Sequence, residues 1–326
     1  MARAELDVLV TWAADEGWNP GLNDADLFWD TDPAGFVAAE AGGALVGGGS
    51  IVSYDGRFGF MGFFIVAPAH RGRGLGRRLW VHRRDALLAR LRPGAAIGLD
   101  GVFAMQAFYA RGGFRLAGRD LRMEGVGASA TPAAGLVDAR EVSPAALGVD
   151  GVFAMQAFYA RGGFRLAGRD LRMEGVGAAA TLASGLVDAR EVPPAALAAY
   201  DAGRFPAPRA GFVERWIAQP GARALAAVDA GGIRGYGVAR PCRTGFKIGP
   251  LFAADAGVAE DLFCGLADHA AGAALFLDVP EGNRAAMALA GRHGMREVFG
   301  CARMYLGSRP ALPEHEVFGV TTFELG

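Results

Sequence analysis

"APAHRGRGLGRRLW" (residues 67–80) follows the apolar run "FGFMGFFIV" (58–66) and packs three glycines and four arginines into fourteen positions. The run reads as a buried strand ending at Pro68, and a helix opens near Leu75. A helix N-terminus there has free N–H groups, carries roughly half a positive charge and accepts anions readily. Gly72, Gly74 and Gly76 put no Cβ between an anion and the backbone, and Arg71, Arg73, Arg77 and Arg78 add phosphate donors. The dinucleotide spacing G-x-G-x-x-G fails because the glycines fall at 72, 74 and 76, and there is no G-K-[ST]. R-x-x-G-x-G is met by Arg71, Gly74 and Gly76. Two plainer readings compete, a solvated turn and an arginine-rich RNA-binding segment. The latter fits poorly with a net charge of −1 and with a stretch that does not continue as low-complexity sequence.

The loop resembles the acyl-CoA pyrophosphate loop of the GCN5-related N-acetyltransferase (GNAT) superfamily. Downstream, "LDGVFAMQAFYARGGF" (99–114) is similar to that superfamily's next motif, a strand and then a helix with Phe-Tyr, here Phe108 and Tyr109, ending in Gly113 and Phe114. Val102 departs from the pattern, since many members have asparagine there. Four further stretches, 13–33, 239–254, 277–283 and 317–326, resemble the tandem acetyltransferases of the YitH type.

The resemblance implies a cofactor site at Ile65, Val66, Arg71, Gly72, Arg73, Gly74, Leu75, Gly76 and Arg77, with acetyl-CoA as co-substrate and no metal. Tyr109 would be the general acid for the departing thiolate, and N–H groups beside Ile65 and Val66 would polarise the thioester carbonyl. The acceptor is a primary amine of a small molecule or peptide, which attacks directly. Glu16 and Asp24 are the candidates to take its proton, and Trp18 and Asn19, in the same segment "EGWNPGLND", are expected to bind the acceptor. The second half has no such loop at "GPLFAADAGVAEDL", and Ala290 replaces the tyrosine, so Asp201, Arg209, Arg240 and Asn283 are expected to shape an acceptor pocket instead. Ordinary salt bridges account equally well for each of these singly. A non-catalytic acyl-CoA sensor is the alternative function.

Residues 101–128 recur word for word at 151–178, and 101–147 differs from 151–197 at four of 47 positions. Repeat architectures need three or more diverged units, so the two near-identical strand-helix-strand copies look like a tandem duplication, or an artefact of how the sequence was obtained, rather than a solenoid. With one copy removed, an α/β pattern runs twice. The first pass has strands near 44–54 and 58–67, helix 75–92, strand 95–100, helix 102–111 and strand 114–123. The second has strand 186–192, helices 194–201 and 209–218, strands 223–229 and 233–240, helix 256–271, strand 274–279, helix 283–293 and strand 296–306. The expected fold class is mixed α/β, two tandem GNAT-like domains with helices flanking each sheet. Domains are expected at 1–134 and 185–326, with an extra duplicated segment at 135–184. Local continuity favours the first copy, hence Tyr109 over Tyr159, as the unit that completes the first domain. The spare copy's Phe153, Met155, Phe158 and Phe164 would favour a homo-oligomer.

A composition of 52% hydrophobic and 21% charged residues describes a globular chain with ample core. Lys247 is its one lysine. Cys242, Cys264 and Cys301 are odd in number and widely spaced, which fits buried thiols better than disulfides or zinc. No apolar run approaches the roughly 18 residues of a membrane span, and Asp7 interrupts the opening segment. A cytoplasmic protein with neither membrane nor nucleic-acid partners is the expectation.

Overall fold

The computed structural model describes residues 1–102 and 162–326. In the first half, α1 (Arg3–Asp15) buries Leu6, Leu9, Val10 and Ala13 at helical spacing, and α2 (Asp24–Thr31) buries Leu27 and Phe28. A hairpin of β1 (Phe36–Ala41) and β2 (Ala44–Ser50) precedes a second one of β3 (Val52–Tyr54) and β4 (Phe58–Met61). Then come β5 (Phe64–Val66), α3 (Leu75–Leu88) and β6 (Ala96–Val102).

The second half starts with β7 (Phe164–Val176) and β8 (Leu186–Asp188), followed by α4 (Pro194–Ala202) and α5 (Ala210–Ile217). Three strands follow, β9 (Arg223–Asp229), β10 (Gly232–Pro241) and β11 (Phe246–Ala253). The remainder is α6 (Ala256–His269), β12 (Ala274–Pro280), α7 (Arg284–Arg292), β13 (Arg296–Leu306) and β14 (Val317–Gly319).

Two sheets result. β1, β2 and β5 form a small one, and the large one runs β3-β4-β6-β13-β7-β12-β11-β10-β9-β8, with β14 added on β11. The single strand expected over 58–67 is therefore two strands in two sheets. The chain breaks at Gly62, where a Cβ would overlap the Glu324 carbonyl, and at Phe63, whose φ is +21°.

The centre of the large sheet is an exchange. β13, the last long strand of the second half, pairs antiparallel with β6 of the first, from Leu306↔Ile97 to Cys301↔Val102. β7 pairs in turn with both β13 and β12. Continuity favoured the first copy, but the strand found in this sheet belongs to the second copy and lies inside the stretch read as extra, 135–184. This second copy runs directly into β8, just as the first runs directly on from β6. Its entry turn also packs on α3, where a Cβ on Gly162 would overlap the Trp80 ring. The first-copy strand 114–123, the helix 102–111 beyond its first residue, Tyr109 and Tyr159 lie outside the described residues.

One face of the sheet is covered by α3, through Trp80 and Leu87 on Ile97, Leu99 and Met304, and by α6 and α7. The other carries a core that mixes both halves, including Leu9, Phe28, Phe58, Phe212, Trp216 and Phe252. No helix among the described residues is long and apolar enough to cross a membrane.

Candidate functional site

Ala67–Arg78 closes from β5 onto α3 through left-handed glycines, Gly72 and Gly74, both with φ of +76°. Gly74 is the N-cap of α3, and no side chain caps that helix end. The first-turn N–H groups of Leu75, Gly76 and Arg77 therefore have no acceptor within the helix, and Gly72, Arg73, Gly74, Arg77 and Arg78 are exposed among the described residues. Arg71 is held differently. Its Nε donates to the Val66 carbonyl at 2.7 Å, and its guanidinium pairs with Glu16.

Beside this loop the strands splay. β4 and β6 run parallel and paired from Phe58↔Ala96 to Met61↔Leu99, and then β5 turns away to pair with β2. Among the described residues no strand fills the wedge between 64–66 and 100–102. Ala67 N–H bonds to Val46 O on the β2 side, so by antiparallel alternation the Val66 N–H points into the wedge. Arg83 holds the break open. Its guanidinium is buried and donates to the carbonyls of Ser50, at 2.5 Å, and Gly62. Gly49 is needed there, since any Cβ would overlap the Phe63 carbonyl and Arg83. In the sequence, Arg83 is the charge that interrupts the apolar stripe of Leu79, Trp80, Ala86, Leu87 and Leu91 on α3 and the turn after it.

The 16–24 segment lies over a layer of buried charge. Trp18 stacks on Phe63 with centroids 6.4 Å apart. Asn19 exchanges two 2.9 Å hydrogen bonds with the Thr244 backbone, and its own carbonyl receives Lys247 Nζ at 3.1 Å. Asp24 and Arg240 form an ion pair at 3.0 Å, and Arg172 grips Asp278 at 2.6 and 2.7 Å while donating to Trp18 O. Burial pushes the Lys247 ammonium down and the Glu324 carboxyl up from their usual ranges. Residues 320–326 run through the same layer. Ser50 Oγ and Tyr54 Oη donate to the carbonyls of Glu324 and Leu325, so the second half forms part of the wall of the first half's wedge.

Several expected acceptor residues turn inward. Asp201 and Arg209 are paired at 2.8 and 2.9 Å in the core, with Tyr236 on Asp201 and Thr321 on Arg209. They face each other rather than a cavity. Arg240 is likewise closed off by Asp24 and lies over the Trp216 ring. Glu16 is engaged by Arg71, which ties the 16–24 segment to the loop. Asn283 caps α7 through Ala285 and Ala286 N–H, and its amide donates to the carbonyls of Glu314, His315 and Val317.

That last contact explains the second half. β11 and β12 also splay, pairing only from Phe246↔Leu275 to Ile248↔Leu277. Here the wedge is filled by β14, which pairs with β11 at Leu251↔Gly319 and Phe252↔Val317 and sends Val320 N–H to Asp278 O. The helix end that follows is also closed. Asp255 caps α6 by accepting from Gly257 and Val258 N–H, and those bonds hold its carboxyl below the usual range. An anion would meet a carboxylate there. Away from both wedges, Glu260, Cys264 and His293 bring three donor atoms within 4.8 Å of one another, a group that the expectation of no metal did not foresee.

Comparison with known proteins agrees with this geometry. The profile described as "Acetyltransferase (GNAT) family" matches residues 4–114, and "Acetyltransferase (GNAT) domain" matches 197–319. The chain is 24% identical over 323 residues to the holothin acyltransferase of Pseudoalteromonas sp. (strain SANK 73390), covering 99% of this chain and 92% of that protein. A Pyrococcus horikoshii structure, solved as a candidate acetyltransferase, superposes with a TM-score of 0.71 at 19% identity, over 100% of this chain and 94% of the other. A tandem GNAT protein from the clavulanic acid biosynthesis pathway gives 0.55 at 15% identity, over 95% and 98%. Two splayed wedges, one beside a phosphate-type loop and unfilled among the described residues and one filled by β14, thus sit in a chain that belongs to the GNAT superfamily as two GNAT domains in tandem.

Proposed function

We propose that the first domain transfers an acetyl group from acetyl-CoA to the primary amine of a small molecule or peptide. The observation that carries this reading is the N-terminus of α3, exposed and without a side-chain cap among the described residues, beside the wedge between β5 and β6. The diphosphate of CoA binds at the amides of residues 71–77, and the thioester arm lies in the wedge, with the Val66 N–H near its carbonyl. Ile65 lines the wedge from β5. Arg71 keeps the loop in place and Glu16 keeps Arg71 in place. Tyr109, which lies outside the described residues, is carried over from the family motif as the acid that protonates the leaving thiolate.

By its name the Pseudoalteromonas relative acylates holothin, and a small-molecule acceptor of some kind is the counterpart proposed here. Trp18 and Asn19, poised over Phe63 and Thr244, stand at the approach to the wedge. The second domain keeps the fold without the cofactor site and supplies wall and support to the first.

Calorimetry with CoA and a thiol-release assay with acetyl-CoA and an amine panel test the reading. Wild type binds CoA and releases thiol, Arg71→Ala and Gly74→Val weaken binding, and Tyr109→Phe lowers turnover with binding retained. Absence of any heat of association with CoA overturns the assignment.

A further inference from the structure

An acyl acceptor that arrives as an ammonium must lose a proton before it attacks, and Glu16 and Asp24, the carboxylates expected to take it, are each paired one to one with an arginine. A third carboxylate lies on a strand that borders the wedge. Asp100 is the first residue of β6 past the Met61↔Leu99 pair, where the wedge begins. Strand alternation turns it away from Ile97 and Leu99, which pack under α3, and toward the opposite face, where Glu324 of the C-terminal segment lies near it.

Its carboxylate receives Arg303 Nε at 2.6 Å and Nη2 at 2.8 Å. The same Nη2 lies 3.3 Å from Oδ2 of Asp170, an oxygen with no hydrogen bond among the described residues. Two buried carboxylates thus share one guanidinium, with side-chain exposures of 0% for Asp100 and 7% for Asp170. Arg303 comes from β13 and Asp170 from β7, so the cluster exists only because the strands are exchanged. A cavity of about 130 Å³, bordered by Asp170, Arg303, Tyr305 and Gly326, adjoins its far side.

We propose that Asp100 and Asp170, bridged by Arg303, take up the proton released by the acyl acceptor, and that the adjoining cavity is the route by which it leaves. The inference rests on the acyl-transfer reading above. The ammonium gives one proton to the Asp100 carboxylate, and the freed lone pair forms the C–N bond at the thioester carbonyl. The C–S bond breaks, the new amide nitrogen loses its second proton, and the thiolate gains one. One proton per turnover remains, held by the carboxylate pair until water in the cavity carries it off.

Two negative groups against one cation in a buried site favour keeping a proton. Burial pushes Asp100 up to about 8 and Asp170 up to about 6, and in both Arg303 works against that rise. The other groups facing the pair are Glu324, Glu314, Asp278, Arg172, Cys301 and Tyr305. All but Arg172 are neutral or negative and do nothing to relieve it.

The test compares full-length wild type, Asp100→Asn and Asp170→Asn with acetyl-CoA and a primary amine that wild type acetylates. At neutral pH, Asp100→Asn should lose about 100-fold in kcat with CoA affinity retained, the usual scale of general-base catalysis. The deficit should shrink as the pH approaches the amine's own pKa. Asp170→Asn relieves like-charge repulsion and should move the acid limb of the kcat/KM profile down by about one unit. Infrared spectroscopy reads the proton directly, as a protonated-carboxyl band that is missing in Asp100→Asn and that titrates away with rising pH along the same profile as the gain in kcat/KM, because only the ionised pair can accept the proton. If Asp100→Asn fails to fold, the Asp170→Asn profile and the wild-type band decide. Wild-type turnover with an unchanged profile in the folded variants, or no band in wild type, overturns this inference alone. No thiol release by wild type with any amine overturns the acyl-transfer reading as well.

Discussion

Gly74 and Asp255 occupy the same place in the two halves, one residue before the helix that follows the splayed strand. In one the helix end is bare, and in the other it is filled by the chain's own carboxylate. Gly74→Asp would copy the second half into the first and set a negative charge where a diphosphate should sit. We expect CoA affinity to fall by roughly tenfold to a hundredfold in calorimetry, since left-handed backbone strain adds to the repulsion. Asp201 poses a different question, whether it serves the acceptor or the fold. Removing one partner of a fully buried pair costs about 3–5 kcal/mol, so Asp201→Asn should lower stability by that order in urea titration. The acceptor KM of the surviving folded protein should not change. Asp100 and Asp170 make a pH prediction of opposite sign to an ordinary ion-paired carboxylate. Their folded pKa values lie above the unfolded ones, so the stability they contribute is complete below about pH 4 and is lost as pH rises through 6 to 8. The stability difference between wild type and Asp100→Asn should therefore shift in favour of the variant from roughly pH 5 to pH 9, as read by denaturant titration.

At the scale of elements, β14 decides how many ligands the molecule takes. A wedge filled by residues 317–319 and pinned by Asn283 leaves no room for a thioester arm, and the α6 end behind it is capped. Native mass spectrometry should find one CoA per chain, and a second equivalent would contradict the filled wedge. How legible was this in the sequence? The loop at 71–77 could be read because its function is local, with glycine and arginine spacing and a helix start inside a few residues. The loss of the same loop from the second half was legible for the same reason. The break at Gly62 was not, because it answers to Glu324, more than 260 positions away, and neither run of apolar residues records it. Asn283 was singled out by position, but its partners, three carbonyls at 314–317, could only be found once the chain had folded back. Arg83 lies between these cases. A charge in an apolar helical stripe was plain to see, while the two carbonyls that it holds were not.

For the whole molecule, the exchange of β7 and β13 determines what can fold alone. Without β13, the first half would end its sheet at β6, leaving unpaired the edge that now faces Leu306 to Cys301. Without β7, the second half would expose β12 along seven register pairs and leave Asp278 without the guanidinium of Arg172. Both halves also bury side chains in a shared core in which Phe28 stacks on Trp216 and Tyr54 meets Phe205 edge to face. Neither half retains a complete sheet or a complete core, so each pays the conformational entropy of ordering without the burial that offsets it. Calorimetry of the full chain should accordingly give one transition with matching calorimetric and van't Hoff enthalpies, in contrast to the two steps of independently folded domains. Fragments divided between residues 185 and 186 should each lack a cooperative transition when expressed alone, and mixing them should restore it. Two separable transitions in the intact chain, or a cooperative melt of either fragment, would show that the interlocked strands are not what joins the halves.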